Sequence, residues 1–345
     1  MRSTTGWAVH DPGGSLSPWP FARRDLRDDD VAVQIRYCGV CGTDLHAMRH
    51  ADASNMPLVT GHEMTGTVTA VGPAVTGLGI GDAVAIGNIV DSCGSCPACL
   101  AGRENWCFEF PTLTYGGRDR IDRTMTQGGF SGEYVARQRF VHTLPEGMDP
   151  ASAAPLLCAG VTVYAPLRHW SAGPGMTVGV VGIGGLGHLA IKYAHAMGAH
   201  VVAFTTSPRK ADEAQALGAD EAIVSTDPEA MAATKWRFDL ILDTVGVPHP
   251  LDPVLQALGL DGTLVAVGAP PEDWQINPSS LRYGEKRLTG SGGDGMRMVR
   301  EMLDFSAQHG IAADIELLPA TEINTALDRL ERGDVRYRFV LDMAR

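Results

Sequence analysis

The chain has 345 residues, of which 44% are hydrophobic and 20% charged, and a formal net charge of -12. That length suggests about two domains of ordinary size, each able to bury a core of its own. The acidic balance argues against nucleic acid and anionic membrane surfaces as main partners, since both reward basic patches.

The N-terminal stretch "MRSTTGWAVHDPGG" lacks the apolar run of about seven or more residues that a signal peptide requires. No segment approaches the roughly 20 apolar residues that span a bilayer. A cytoplasmic location is therefore expected, and a reducing compartment turns cysteines toward metals or catalysis rather than disulfides. There are 7 cysteines, an odd number, so full pairing within the chain is impossible.

The first chemistry-bearing segment is "YCGVCGTDLH", with Cys38, Cys41, Thr43, Asp44 and His46, followed by "TGHE" with His62 and Glu63. Next comes "CGSCPACLAGRENWC", in which Cys93, Cys96, Cys99 and Cys107 follow a C-x2-C-x2-C-x7-C spacing. Thiolates two residues apart in a tight turn can point at one centre, and zinc takes four of them tetrahedrally, leaving no position for water or substrate. The segment reads as a structural zinc site. An iron–sulfur cluster is the alternative, but its ferredoxin-type run continues as C-x3-C-P, unlike this one. A disulfide is the remaining possibility.

Downstream, "APLLCAGVTVY" places Cys158 among apolar residues. Alone it reads as a core cysteine, and His62 alone as a hydrogen-bonded structural histidine. Two cysteines and a histidine together form a ligand set found at catalytic zinc, with the fourth position open.

From residue 176 the pattern changes to alternating strands and helices. "MTVGVVG" predicts a buried strand, and "GIGGLG" at Gly182, Gly184, Gly185, Leu186 and Gly187 follows it. Leu186, Leu189, Ala190, Tyr193 and Met197 recur at helical spacing until Gly198. G-x-G-x-x-G after a strand and opening a helix is the dinucleotide fingerprint, with pyrophosphate against the Gly184, Gly185 and Leu186 backbone. Further strands are predicted at "HVVAF", "EAIVS", "FDLILDTVG", "GTLVAVGA" and "KRLTGS", together a doubly wound parallel sheet. An enzyme using NAD normally ends the second strand with Asp or Glu for the ribose diol. Here that place holds Thr205, Thr206 and Ser207, then Arg209 and Lys210. Hydroxyls and cations suit a 2′-phosphate, hence NADP(H); the plainer reading is a helix capped by Ser207 with solvated basic residues.

Taken together, "YCGVCGTDLH", "GHE", the cysteine cluster, "TQGGFSGEYV", "APLLCAGVTVY", "GIGGLGHLAIK" and "DVRYRFVLD" resemble the zinc-dependent medium-chain alcohol dehydrogenases, in their cinnamyl-alcohol-dehydrogenase branch. The resemblance runs nearly end to end. It implies an α/β protein with a GroES-like β-rich catalytic domain at 1–158, rejoined by 290–345, and a Rossmann domain for NADP(H) at 159–289. The active site is expected in the cleft. By the same resemblance Cys41, His62 and Cys158 hold the catalytic zinc and the four clustered cysteines hold the structural one, giving two Zn2+ per chain. Glu63 matches a carboxylate that can visit the metal, and Asp44 an acid that orients the ligating imidazole. Thr43 and His46 match a proton relay to solvent. Arg338 matches a late arginine near the cofactor and active-site entrance, its plainer alternative being a surface salt bridge.

The implied activity is reversible oxidation of a primary alcohol to an aldehyde with NADP(H), by a homodimer acting on a small-molecule substrate. A reductase of an iminium or conjugated carbonyl is the alternative enzyme, and a zinc and NADPH-binding protein without turnover the alternative class. "GSGGDG" at 290–295 stands where relatives often read "GSFIGS", which suggests glycines in place of bulk near the nicotinamide. That change, and the unclear role of "TLTY" at 112–115, put an aromatic-alcohol preference in doubt.

Overall fold

A computed structural model describes residues 1–344. The chain divides into two compact units, residues 1–158 with 294–345, and residues 159–293.

The first unit is organised by the strand Asp30–Val40, whose sequence "DVAVQIRYCGV" is rich in β-branched residues. It pairs antiparallel with Met64–Val71, with Glu133–Arg137 and with Arg338–Asp342. These lie in a 7-stranded sheet, and a separate 3-stranded sheet is made by Ser17–Arg23, Arg2–Val9 and Leu58–Val59. Val31, Val33, Val68, Phe130 and Phe339 are all at most 1% exposed and lie in one core cluster. Burying each such side chain contributes roughly 1.5–3 kcal/mol. The pairing of Leu341 with Cys38 and of Phe339 with Val40 matters most for function. It brings a strand from the C-terminal end beside the segment that leads into Cys41.

The second unit is a 6-stranded parallel sheet, ordered Glu221–Val224, His200–Thr205, Thr177–Val181, Phe238–Asp243, Leu258–Ala266 and Arg287–Gly290. All its pairings are parallel. The order reverses between the first and fourth of these strands in sequence, which is the doubly wound arrangement expected from the alternating pattern. Gly198 and Gly218 take positive φ angles of 86° and 110° just after their helices end, the left-handed conformation that costs glycine least. Among the described residues no single helix is long and apolar enough to cross a membrane.

Candidate metal centres and dinucleotide turn

The strand Asp30–Val40 ends one residue before Cys41, which caps the helix Gly42–His50. Asp44 sits in the first turn of that helix and has two jobs. Its Oδ2 accepts a hydrogen bond from the Cys41 backbone N–H at 2.9 Å. Its Oδ1 accepts from the Gly61 N–H at 2.8 Å and faces His62 Nδ1 at 3.1 Å. One carboxylate therefore closes the helix start and fixes the loop that carries His62. With Nδ1 committed to Asp44, the imidazole presents Nε2 on its other side.

The "TQGG" segment supports the same loop from behind. Gly128, Gly129 and Phe130 donate to the carbonyls of Val59, Gly61 and Thr60 at 2.7, 2.8 and 3.0 Å. Buried Arg23 in turn donates to the carbonyls of Gln127 and Gly128 and to Ser131 Oγ. Gly61 has φ +93°, and a Cβ there would meet Phe130 at 2.8 Å and Cys38 Sγ at 2.9 Å. Cys38 itself, 0% exposed, is packing beside the site.

Ligand atoms of Cys41, His62, Glu63 and Cys158 all lie within 4.8 Å of one another. The Cys41 and Cys158 sulfurs are 4.0 Å apart, and His62 Nε2 is 3.9 Å from Glu63 Oε1. Two soft sulfurs, an imidazole and a carboxylate fit zinc in number and type. The Cys158 thiol, hydrogen-bonded to Cys41, works with His62 and the Arg338 charge to hold the Cys41 thiol well below its usual range. Burial alone pushes His62 down, yet the Asp44 carboxylate overrides it and raises the imidazole. Burial likewise lifts the Glu63 carboxyl to about 7, against the opposing pull of Arg338.

Arg338, expected near the cofactor or on the surface, is buried at 6% exposure and forms an ion pair with Glu63. Thr43 Oγ1 is 3.6 Å from Cys41 Sγ. His46 lies further along the same helix, exposed, with its ring 4.6 Å from that of His50. Tyr115, whose role the sequence left open, is buried with its ring 5.7 Å from His62.

In the second cluster the sulfurs of Cys93, Cys96, Cys99 and Cys107 also converge within 4.8 Å. Backbone N–H groups of Cys93, Cys96 and Phe108 point at the sulfurs of Cys107, Cys93 and Cys96 at 3.3–3.4 Å. Such donors favour thiolates, and no disulfide forms, all seven cysteines being free. The donor set fits a closed tetrathiolate zinc site. Glu104 anchors this lobe, accepting from the Met296 N–H at 2.9 Å and pairing with Arg139. A Cβ on Gly295 would overlap the Gly102 carbonyl and the Glu104 carboxylate. The end of the "GSGGDG" segment is therefore glycine because the lobe packs on it.

In the second unit Gly182 has φ +86°, and a Cβ on Gly187 would overlap the Gly182 carbonyl. Nothing lies within 4 Å of a Cβ position on Gly184. Each glycine thus fits its part in a phosphate cradle: tight turn, close packing and an open face. Thr205 is buried, and its Oγ1 accepts from the Ser207 N–H at 3.1 Å. Ser207 occupies the N-cap position but makes no side-chain cap bond. Lys210 reaches back to the Ile183 carbonyl at 3.0 Å, placing its ammonium at the glycine turn. Thr206 and Arg209 are exposed.

Residues 27–146 match the alcohol dehydrogenase GroES-like domain and residues 185–308 the zinc-binding dehydrogenase domain. The aldehyde reductase YahK of Escherichia coli (strain K12) is 49% identical, over 95% of this chain and 94% of its own length. A cinnamyl alcohol dehydrogenase of Sorghum bicolor superposes with a TM-score of 0.95 at 44% identity, covering 99% of this chain and 98% of that one. The "CAD" of Helicobacter pylori, solved in complex with NADP(H), gives 0.93 at 32% identity, covering 100% and 99%. The chain belongs to the zinc-dependent alcohol dehydrogenases of the medium-chain class, in the branch of the cinnamyl alcohol dehydrogenases.

Proposed function

We propose that the protein interconverts primary alcohols and aldehydes by hydride transfer with NADP(H) at a zinc site held by Cys41, His62 and Cys158. The observation that carries this reading is the convergence of those three donors with Glu63 within 4.8 Å, on a chain of this family. When bound, zinc polarises the substrate oxygen and the nicotinamide supplies or accepts the hydride. Asp44 fixes the His62 ring so that Nε2 is the donor presented. Arg338 holds the buried Glu63 carboxylate beside the donors, ready to take up a position there. Thr43, next to Cys41, passes a proton between the reacting oxygen and His46, whose exposed imidazole exchanges it with water. Thr206, Ser207, Arg209 and Lys210 receive the 2′-phosphate, and Gly182, Gly184, Gly185, Leu186 and Gly187 the pyrophosphate.

The tetrathiolate of Cys93, Cys96, Cys99 and Cys107 takes a second, structural zinc. Seven free thiols suit a reducing cytoplasm, and a homodimer is the assembly we expect, checked by sedimentation. A protein that only binds zinc and NADPH has no use for a proton relay such as the one assigned here to Thr43 and His46. The deciding experiment follows NADPH absorbance with aliphatic, aromatic and terpenoid aldehydes on enzyme of measured zinc content. Zinc-loaded enzyme with no turnover on any aldehyde would overturn the reading.

A further inference from the structure

We propose that His46 and His50 form a bidentate site for a borderline divalent cation such as Ni2+, Zn2+ or Cu2+, and that filling it inhibits turnover. The two histidines are four residues apart on the helix Gly42–His50, so they share a face one turn apart. Their ring centroids are 4.6 Å apart with planes tilted by 44°, and both side chains are exposed. Two histidines at this spacing are how a helix offers two imidazoles to one metal. Imidazole selects zinc, copper and nickel over magnesium and calcium, which prefer oxygen.

The surroundings favour a cation there. Arg49, the one permanent cation between the two rings in sequence, is engaged by Glu331. The net charge of -12 draws cations toward the surface. The helix is fixed at its start by Asp44 and closed at its end by the Ala51 N–H bonding to Ala47, so the backbone that carries the two rings is already ordered. Neither histidine belongs to the two clusters of converging ligands, so this site is separate from both zinc positions. Inhibition rests on the proposed relay: a cation on His46 occupies the nitrogen that would hold the proton. His50 has no part in the reaction.

The test uses zinc-loaded enzyme without a histidine tag, titrated with Ni2+ by calorimetry and assayed for aldehyde reduction. The expected result is saturable one-to-one binding and inhibition, with no response to Mg2+. His50→Ala keeps basal activity, and its half-inhibiting Ni2+ concentration rises about tenfold or more, because the second, intramolecular ligand is gone. Equal Ni2+ binding and inhibition in His50→Ala overturns the site, as does zinc loss that parallels the inhibition. Binding that depends on His50 yet leaves turnover unchanged overturns the proposed inhibition.

Discussion

Gly39 leaves room for Glu63. A Cβ on Gly39 would overlap Glu63 Oε2, and the Gly39 N–H donates to the Glu63 carbonyl at 2.9 Å. The glycine is dictated by close approach, its φ being unexceptional. Gly39→Ala is expected to displace the carboxylate, break its ion pair with Arg338 and cost on the order of 1–3 kcal/mol by overpacking. Metal analysis should find one zinc retained and the other weakened. Full zinc content with unchanged melting would show that Glu63 can move freely.

Asp44→Asn keeps the shape and removes the charge that His62 and two backbone N–H groups share. The lost support for the ligating imidazole should weaken zinc binding at Cys41, His62 and Cys158 by about 10–100-fold. Competition with a chelator measures this without reference to turnover. Asparagine variants that hold zinc as tightly as the wild type would assign Asp44 to the helix cap alone.

The convergence of the two donor clusters was legible because cysteine and histidine are rare and their local spacings, with the family resemblance, select a few arrangements. The six strands of the second unit were legible from short apolar runs between glycines. Long-range pairings were not: Arg338 and Glu63 are 275 residues apart, and only the pairing of Phe339 with Val40 puts them together. Nothing local to "RYRFV" distinguishes a buried arginine from a surface one. Gly295 shows the same limit, since its reason for being glycine is the Gly102 carbonyl and the Glu104 carboxylate in a distant lobe.

The two zinc positions should fail differently. Cys158→Ser should abolish turnover while the chain stays folded and binds NADP(H). Cys99→Ser should lower the melting temperature, since binding energy at a structural zinc is folding energy. Its loss should not carry away the metal at Cys41. A Cys99 variant with unchanged melting and full zinc would overturn the structural assignment.

His142 predicts an acid-side instability. It is 1% exposed, its Nδ1 has no partner, and burial, with the Arg300 charge adding to it, pushes the imidazole down to about 3. An unfolded histidine titrates near 6.5. Between these values the unfolded chain binds the extra proton, so stability is full above about 6.5 and falls as pH drops toward 3. The contribution of this residue between pH 7 and pH 5 is about 2 kcal/mol. Urea midpoints of wild type and His142→Gln across that range should therefore converge on acidification. Parallel pH profiles would mean that other groups carry the effect.

If the proposed 2′-phosphate site is right, cofactor choice turns on Lys210 and Thr206. Lys210 is held at the glycine turn through the Ile183 carbonyl, and Ser207 leaves its hydroxyl out of the helix cap. Ser207 follows the end of the strand His200–Thr205 and Lys210 lies in the first turn of the next helix, beside the place where a carboxylate would have gripped the ribose diol and repelled a 2′-phosphate. Preference for NADPH then comes from attraction, with no element set against NADH. Charge-assisted bonds contribute roughly 1.5–3 kcal/mol each, so the ratio of kcat/KM for the two cofactors should be on the order of 10². Lys210→Ala should lower NADPH efficiency by about tenfold or more and leave NADH nearly unchanged. Thr206→Asp should bring the cofactors together by supplying the missing repulsion, and added salt should narrow the gap through the exposed Arg209. Steady-state kinetics on one aldehyde with both cofactors decides the matter: equal efficiencies in the wild type, or NADH ahead, would remove these residues from cofactor selection.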